Sequence, residues 1–295
     1  MTIPSGSVLQ GPVGVVGLGL IGGSIALDLR ARGVAVRALV HREATAERAR
    51  ERGLADLVDI DPVVLADCSL VVLALPLDRL LDPSPELVAA LPAEAVITDV
   101  GSVKAPVLER WQPLHPRFVA SHPMAGTAQA GVEAGVRELF VERPWVATPS
   151  PTTDPDALAQ VQALALALGS RWLCCGAAAH DQAVALISHL PVLVSGALLL
   201  GADRGAAAGA AAGAPELPEL VRALASSGFA DTTRVGGGNP ELGTLMARNN
   251  REAVLAALGH YRQALEALEQ EVRGSEWSAL QAQLEHCQQL RPEFL

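Results

Sequence analysis

The chain is short of positive charge. Its 295 residues carry 22 Lys and Arg against 32 Asp and Glu, a formal net charge of −10. That argues against a nucleic-acid partner, which calls for a basic patch. It leaves room for a small anionic substrate, for which one or two well-placed arginines suffice. The four cysteines, Cys68, Cys174, Cys175 and Cys287, lack the spacing of a metal site, so no metal is expected. Cys174 and Cys175 fall in the apolar stretch RWLCCG and read as buried free thiols. Half of the chain is apolar. Even so, the longest candidate for a membrane span, DCSLVVLALPLDRLL, is broken by Pro76, Asp78 and Arg79, short of the roughly 20 apolar residues a span needs. The opening MTIPSGSVLQGP has neither the basic start nor the apolar stretch of a signal peptide. A soluble cytoplasmic protein without membrane contact is expected.

What is present is an alternation. Apolar runs at 13–17, 36–40, 70–76, 95–101, 118–122, 145–149 and 171–175 read as strands. The early ones are Val-rich without polar alternation, as suits strands covered on both faces. Helical stretches such as 22–33 and 156–169 lie between them, which indicates a doubly wound α/β domain over residues 1–175. Strand signals then stop, and residues 176–295 read as an all-α domain. HDQAVALISHLPVLVSGALLLGA suits a buried helix kinked near Pro191. REAVLAALGHYRQALEALEQEV sets Val254, Leu258, Tyr261, Leu265, Leu268 and Val272 alternately four and three apart. That seam packs against a helix of the same chain or of a second copy. GADRGAAAGAAAGAPELPEL (201–220) reads as a flexible connection or loose helix end.

VGVVGLGLIGGS places Gly17, Gly19 and Gly22 in G-x-G-x-x-G spacing after a Val-rich strand, with Leu20 and Ile21 in the turn that opens a helix. Gly17 permits the tight turn, Gly19 lets the backbone approach a pyrophosphate, and Gly22 lets helix and strand pack closely. Helix N–H groups then face the phosphates. The fold expected is a Rossmann-like, doubly wound, mostly parallel sheet followed by the helical domain. After the second strand come His41 and Arg42, with the first acid only at Glu43. Arg42 suits a 2′-phosphate, so NADP is the expected cofactor and NAD the second choice. The alternative is a solvated Arg42 with Glu43 on the ribose.

Polar residues also leave the sheet at its carboxyl edge, where ligands collect. Ser102 and Lys104 follow the strand at 95–101; His122 ends the strand at 118–122, with Thr127 and Gln129 on its loop. His122 is a candidate base. Ser102 either orients its imidazole or caps the next helix, and Lys104 reads as a solvated helix residue. In the second domain, SSGFADTTRVGGGNPELG gathers small and polar residues around Arg234, a candidate partner for a carboxylate.

With VGLGLIGGS, TDVGSVK, HPMAGT, HDQAVALISHLP and DTTRVGGGNPELG in this order, residues 12–275 resemble the prephenate/arogenate dehydrogenase family, most of all the cyanobacterial-type arogenate dehydrogenases. The resemblance implies that His122 is the catalytic base toward the substrate's ring hydroxyl, assisted by Ser102. It implies that Arg234 binds substrate carboxylate. Thr127 and Gln129, on the loop after His122, are further candidates for the substrate site, and His189, retained within an apolar helix, reads equally as a structural or a substrate-facing residue. The reaction implied is oxidative decarboxylation of arogenate to tyrosine, with prephenate as the alternative substrate. Prephenate-using relatives often carry a second histidine after HLP; here Val192 stands there, which resembles the arogenate-preferring branch. No added length is present for a regulatory or mutase domain, and a homodimer through the helical domain is expected. Two other readings share the plan. A β-hydroxyacid dehydrogenase wants a Lys with a nearby Asn, which SHLPVLVSGALLLG lacks. A non-enzymatic dinucleotide sensor gives no reason for His122, Ser102 and Arg234 to occur together.

Overall fold

The computed structural model describes residue 9, residues 11–127 and residues 129–294; the N-terminal stretch inspected for a signal peptide lies mostly outside the described residues. Strands β1 (Val13–Val16), β2 (Val36–Leu39), β3 (Leu57–Asp59), β4 (Leu70–Leu73), β5 (Val96–Asp99) and β6 (Phe118–Val119) form one sheet in the order β3-β2-β1-β4-β5-β6. All neighbours in it are parallel. Helices α1 (Leu20–Ala31), α2 (Glu43–Glu51), α3 (Leu77–Leu81), α4 (Pro85–Ala90) and α5 (Ala105–Trp111) connect them. Every residue of β1, β4 and β5 is buried. One side packs Val13, Val15, Ile25 and Leu29 with Trp145, and the other packs Val16, Val71, Ile97 and Trp111. This is the doubly wound Rossmann arrangement, and its strand order reverses between β1 and β4, where such sheets take ligands.

The single strand expected over 118–122 is two strands. The chain leaves the large sheet at Ala120, and β7 (Ser121–Pro123) pairs antiparallel with β8 (Pro144–Ala147), itself parallel to β9 (Arg171–Cys174). The switch is held by side chains. Ser121 N donates to Asp99 Oδ1 at 3.0 Å, Ser121 Oγ donates to Asp99 O at 2.9 Å, and the Thr98 and Ser121 hydroxyls lie 2.8 Å apart. Helix α6 (Pro155–Ala167) covers the crossover between β8 and β9. Because β9 is an edge strand, Cys174 is exposed and Cys175 half-buried, against the expectation of buried thiols; Cys287 is exposed too, and of the four only Cys68 is buried.

The rest is helical: α7 (Ala177–Val184), α8 (Leu190–Ala211), α9 (Leu217–Leu224), α10 (Ser227–Thr233), α11 (Pro240–Asn249), α12 (Arg251–Arg273) and α13 (Trp277–Leu290). The irregularity expected at Pro191 lies one turn earlier, as a π-helical turn at Ala185–His189. Pro191 follows that turn inside the continuous helix, where its missing N–H leaves a carbonyl of the irregular turn without its helical donor. The stretch 201–220 is not a loose connection, since α8 runs through it to Ala211 and α9 begins at Leu217. Its small residues make room: a Cβ on Gly209 would sit 2.3 Å from Leu217 Cδ2. Contrary to the expectation that no run is long enough, the continuous helix Ala177–Ala211 is long and apolar enough to cross a membrane by length and composition, with a mean hydropathy of 2.1. The seam on α12 buries Val254 but leaves Leu265 50% and Val272 51% exposed.

A side chain at Gly22 tests the tightness of the first turn. Its Cβ would stand 1.9 Å from the Gly17 carbonyl oxygen and 2.8 Å from Ala74 Cβ. Gly22→Ala should cost about 1–3 kcal/mol, the usual penalty of overpacking. The measurement is the urea midpoint at unchanged m-value; an unmoved midpoint would mean the turn has slack.

Candidate active site

The glycine turn carries the local geometry of a phosphate cradle. Gly17 has φ +92°, the left-handed region. A Cβ on Gly19 would meet no protein atom within 4 Å, so the backbone there faces open space. Gly19 also caps α1 without a side-chain hydrogen bond, leaving the first-turn amides, including those of Leu20, Ile21 and Gly22, to face a ligand. The residues present therefore fit a dinucleotide. At the end of β2, His41 and Arg42 are exposed and make no side-chain bond among the described residues, whereas the Glu43 carboxylate is taken by Arg50 at 2.8 Å.

His122 lies in the middle of β7, opposite Val146 of β8, with only 9% of its surface exposed. Its Nδ1 is 3.0 Å from Nε2 of His180, which meets it edge-on with ring centroids 5.2 Å apart. His180 Nδ1 is in turn 2.8 Å from Asp181 Oδ1. The Asp181 carboxylate also accepts from the backbone amides of Lys104 (2.7 Å) and Ala105 (2.8 Å) at the start of α5. Asn250 Nδ2 donates to the Asp181 carbonyl at 2.7 Å and lies 3.3 Å from His189 Nδ1. Burial, then the Lys104 ammonium, then His180 and His189, hold the His122 pKa well below the ordinary 6.5. The imidazole is therefore neutral at pH 7 and able to accept a proton.

Lys104 is not a solvated helix residue. It is fully buried, paired with Asp99, and its Nζ donates to the Ser121 carbonyl at 2.7 Å. Burial lowers its pKa while the Asp99 carboxylate works against that shift. An ion pair excluded from water in this way is costly to break, because either half alone is an uncompensated buried charge.

Ser102 follows β5 half-buried, with its hydroxyl unbonded among the described residues. It neither orients the imidazole nor caps α5; His180 and Asp181 occupy those positions. Thr127 and Gln129 lie on the exposed loop after β7, linked by a 3.2 Å bond from Gln129 N to Thr127 Oγ1. Arg234 caps α10 and is exposed, without a bonded partner among the described residues. His189 ends the π-helical turn, is 2% exposed, and has an Nε2 with no partner among the described residues. Burial pushes its pKa down to about 4. Sequence reasoning gave no role to His180, Asp181 or Asn250. The signal for the first two was a His-Asp pair at the start of an otherwise apolar helix.

The model of the prephenate dehydrogenase nucleotide-binding domain matches residues 25–174, and that of the prephenate dehydrogenase dimerization domain matches residues 176–286. The chain belongs to the prephenate dehydrogenase family. It is an oxidoreductase with a nucleotide-binding Rossmann fold. Cyclohexadienyl dehydrogenase of Zymomonas mobilis is 30% identical over 95% of this chain and 94% of its own. The crystal structure of Synechocystis arogenate dehydrogenase is 40% identical, with a TM-score of 0.80 over 96% of this chain and 100% of that one. Prephenate dehydrogenase from A. aeolicus, in complex with hydroxyphenyl propionate and NAD+, is 25% identical, with a TM-score of 0.88 over 98% of this chain and 100% of that one. The family match begins after the glycine turn, so the reading of Gly17, Gly19 and Gly22 stands on their geometry.

His122→Asn should leave dinucleotide binding intact and lower kcat by roughly 10²–10⁴-fold, the usual contribution of a positioned base. The sign of the pH dependence follows from the lowered pKa. With His122 as the base its neutral form would be the active one, and kcat/KM should then fall only as pH drops through a value below 6.5. An acid limb centred at or above pH 6.5 would assign the base to another group.

Proposed function

We propose that the protein is an NADP-dependent arogenate dehydrogenase of the cytoplasm. The observation that carries this reading is the 40% identity to Synechocystis arogenate dehydrogenase across nearly the whole chain. Val192, where prephenate users often place a histidine, supports the same choice. The exposed Arg42 favours NADP, and Glu43, engaged with Arg50, is poorly placed to hold a ribose. Prephenate dehydrogenase with NAD or NADP is the second reading, favoured by the A. aeolicus likeness and by the Bacillus subtilis prephenate dehydrogenase, 29% identical over 82% of this chain.

In this reading residues 1–175 hold the dinucleotide through Gly17, Gly19, Leu20, Ile21 and Gly22, with His41 and Arg42 toward the ribose. Residues 176–295 supply Arg234 for a substrate carboxylate and the contact with a second copy. The bound nicotinamide supplies the hydride acceptor. His122 takes the proton of the ring hydroxyl, and Ser102, whose own hydroxyl is unbonded, donates to the same oxygen. Thr127, Gln129 and His189 complete the wall of the site. As C4 loses its hydride and the ring carboxylate leaves as carbon dioxide, the ring becomes a phenol. Aromatisation makes that step strongly downhill, so the protein has mainly to position the substrate, take one proton and match charge. The apolar faces left on α8 and α12 are those of a homodimer.

Initial rates by nicotinamide absorbance, with arogenate and prephenate crossed against NADP and NAD, test the assignment. Turnover mainly of arogenate with NADP is expected; comparable turnover of prephenate would remove the argument from Val192. Arg234→Gln should raise KM on the order of 10–150-fold, the loss of a charged hydrogen bond. An unchanged KM would place the carboxylate partner elsewhere.

A further inference from the structure

The contact between His122 and His180 has a direction. A neutral imidazole carries one N–H and one lone pair, so of two neutral rings in contact one donates and the other accepts. The Asp181 carboxylate only accepts, and it takes His180 Nδ1 at 2.8 Å, so that nitrogen bears the hydrogen. His180 Nε2 is then the lone-pair nitrogen, and the 3.0 Å contact requires His122 Nδ1 to donate to it. The lone pair of His122 is left on Nε2, the nitrogen free to face a substrate. Asp181 is itself fixed by the amides of Lys104 and Ala105, so the chain of contacts begins on a rigid backbone.

From this geometry we propose that His180 is the positioning residue of the base: backed by Asp181, it holds His122 in the Nδ1–H tautomer and orients its Nε2 for the substrate hydroxyl. The proposal rests on His122 being the base and deepens that reading. The proton balance is closed. When the hydroxyl proton arrives at His122 Nε2, the ring becomes an imidazolium whose Nδ1–H points at His180 Nε2. That proton can cross to His180, leaving His122 neutral and the positive charge beside the Asp181 carboxylate. Other charged or titratable groups near the pair are the Lys104 ammonium, which disfavours charge on His122, and His189. Spreading the positive charge toward Asp181 offsets the repulsion from Lys104. A further consequence is that the base is assembled across the two halves of the chain. His122 belongs to the small sheet, and His180 and Asp181 to the first helix beyond it.

Two measurements test this. The first uses nitrogen-15 spectra of the seven histidines in the wild-type protein, assigned with His122→Asn and His180→Gln. Both His122 and His180 should show the hydrogen on Nδ1; His122 with its hydrogen on Nε2 would overturn the proposal. This readout needs no substrate, so it stands apart from whether arogenate or prephenate is turned over. The second compares His180→Leu, which has no acceptor, with His180→Gln, whose carbonyl can still accept from His122 Nδ1. His180→Leu should lose about 10²-fold or more in kcat, as when the orienting member of a triad is removed, with KM changed less than about threefold. His180→Gln should recover at least about tenfold of that loss. Equal losses in both variants, or a His180→Leu enzyme with near wild-type kcat, would reduce His180 to packing.

Discussion

The arrangement depends on one carboxylate. Asp181 stands at the start of the helical half, yet three of its hydrogen bonds reach in different directions: to the amides of Lys104 and Ala105 in the Rossmann half, and to the neighbouring His180. Backbone amides that open a helix have no partner within it, and a carboxylate there satisfies them and meets the positive end of the helix. The same oxygen that accepts from Lys104 N orients His180, and through it the ring of His122. Docking the helical half and placing the His122 ring are thus one event, and the position of His122 cannot be described from its own strand alone.

The electrostatics nearby follow from a second constraint, the switch of the chain between two sheets at Ala120. Asp99 ends β5 and binds the Ser121 amide, and Lys104 returns to pair with Asp99 and the Ser121 carbonyl. Lys104 is the only lysine in a chain that otherwise uses arginine. Its compact ammonium on a flexible stem fits a fully buried position, where a planar guanidinium fork would need more room and more acceptors. The pair holds β7 against β5, and its positive member lies close enough to lower the pKa of His122. One buried cation thus serves both geometry and charge: it fixes the strand that carries His122 and adds to the burial that keeps its imidazole neutral.

What was legible in the sequence was local. Gly17, Gly19 and Gly22 declare their turn by a spacing contained within six residues, β1 and β4 announce themselves by unbroken apolar runs, and β2 and β5 by runs broken only by Arg37 and by Thr98 and Asp99. β3 did not, since two of its three residues are exposed and its register comes only from β2. The break at Ala120 was hidden because it depends on Asp99, some twenty residues earlier. Lys104 looked like a solvated helix start, and nothing near it in sequence shows that Asp99 and Ser121 enclose it. His180 and Asp181 stood in a stretch already matched to the family, but a contact 58 residues away from His122 leaves no periodic trace. Charged residues inside apolar helices were the available clue, because burial of such groups demands partners.

The same reasoning applies to the long helix Ala177–Ala211. Length and hydropathy alone would allow it to span a membrane, but its first turns carry His180, Asp181 and His189, all buried and tied into a polar network with Asn250 and Lys104. A helix crossing a bilayer would have to surrender those bonds or take α5 and α12 with it. Its apolar surface has another explanation in the thinness of the helical core, where the fully enclosed cluster amounts to Ala185, Val254 and Ala257. Helices that bury so little against one another are stabilised by burying more, and exposed Leu198, Leu199 and Leu200 on α8 with Leu265 and Val272 on α12 supply the surface. In the proposed homodimer a second copy of the chain would offer the same faces in return, so that one symmetric contact would cover both. The network that fixes His122 would then rest on α7, a helix continuous with the α8 face that such a dimer would cover.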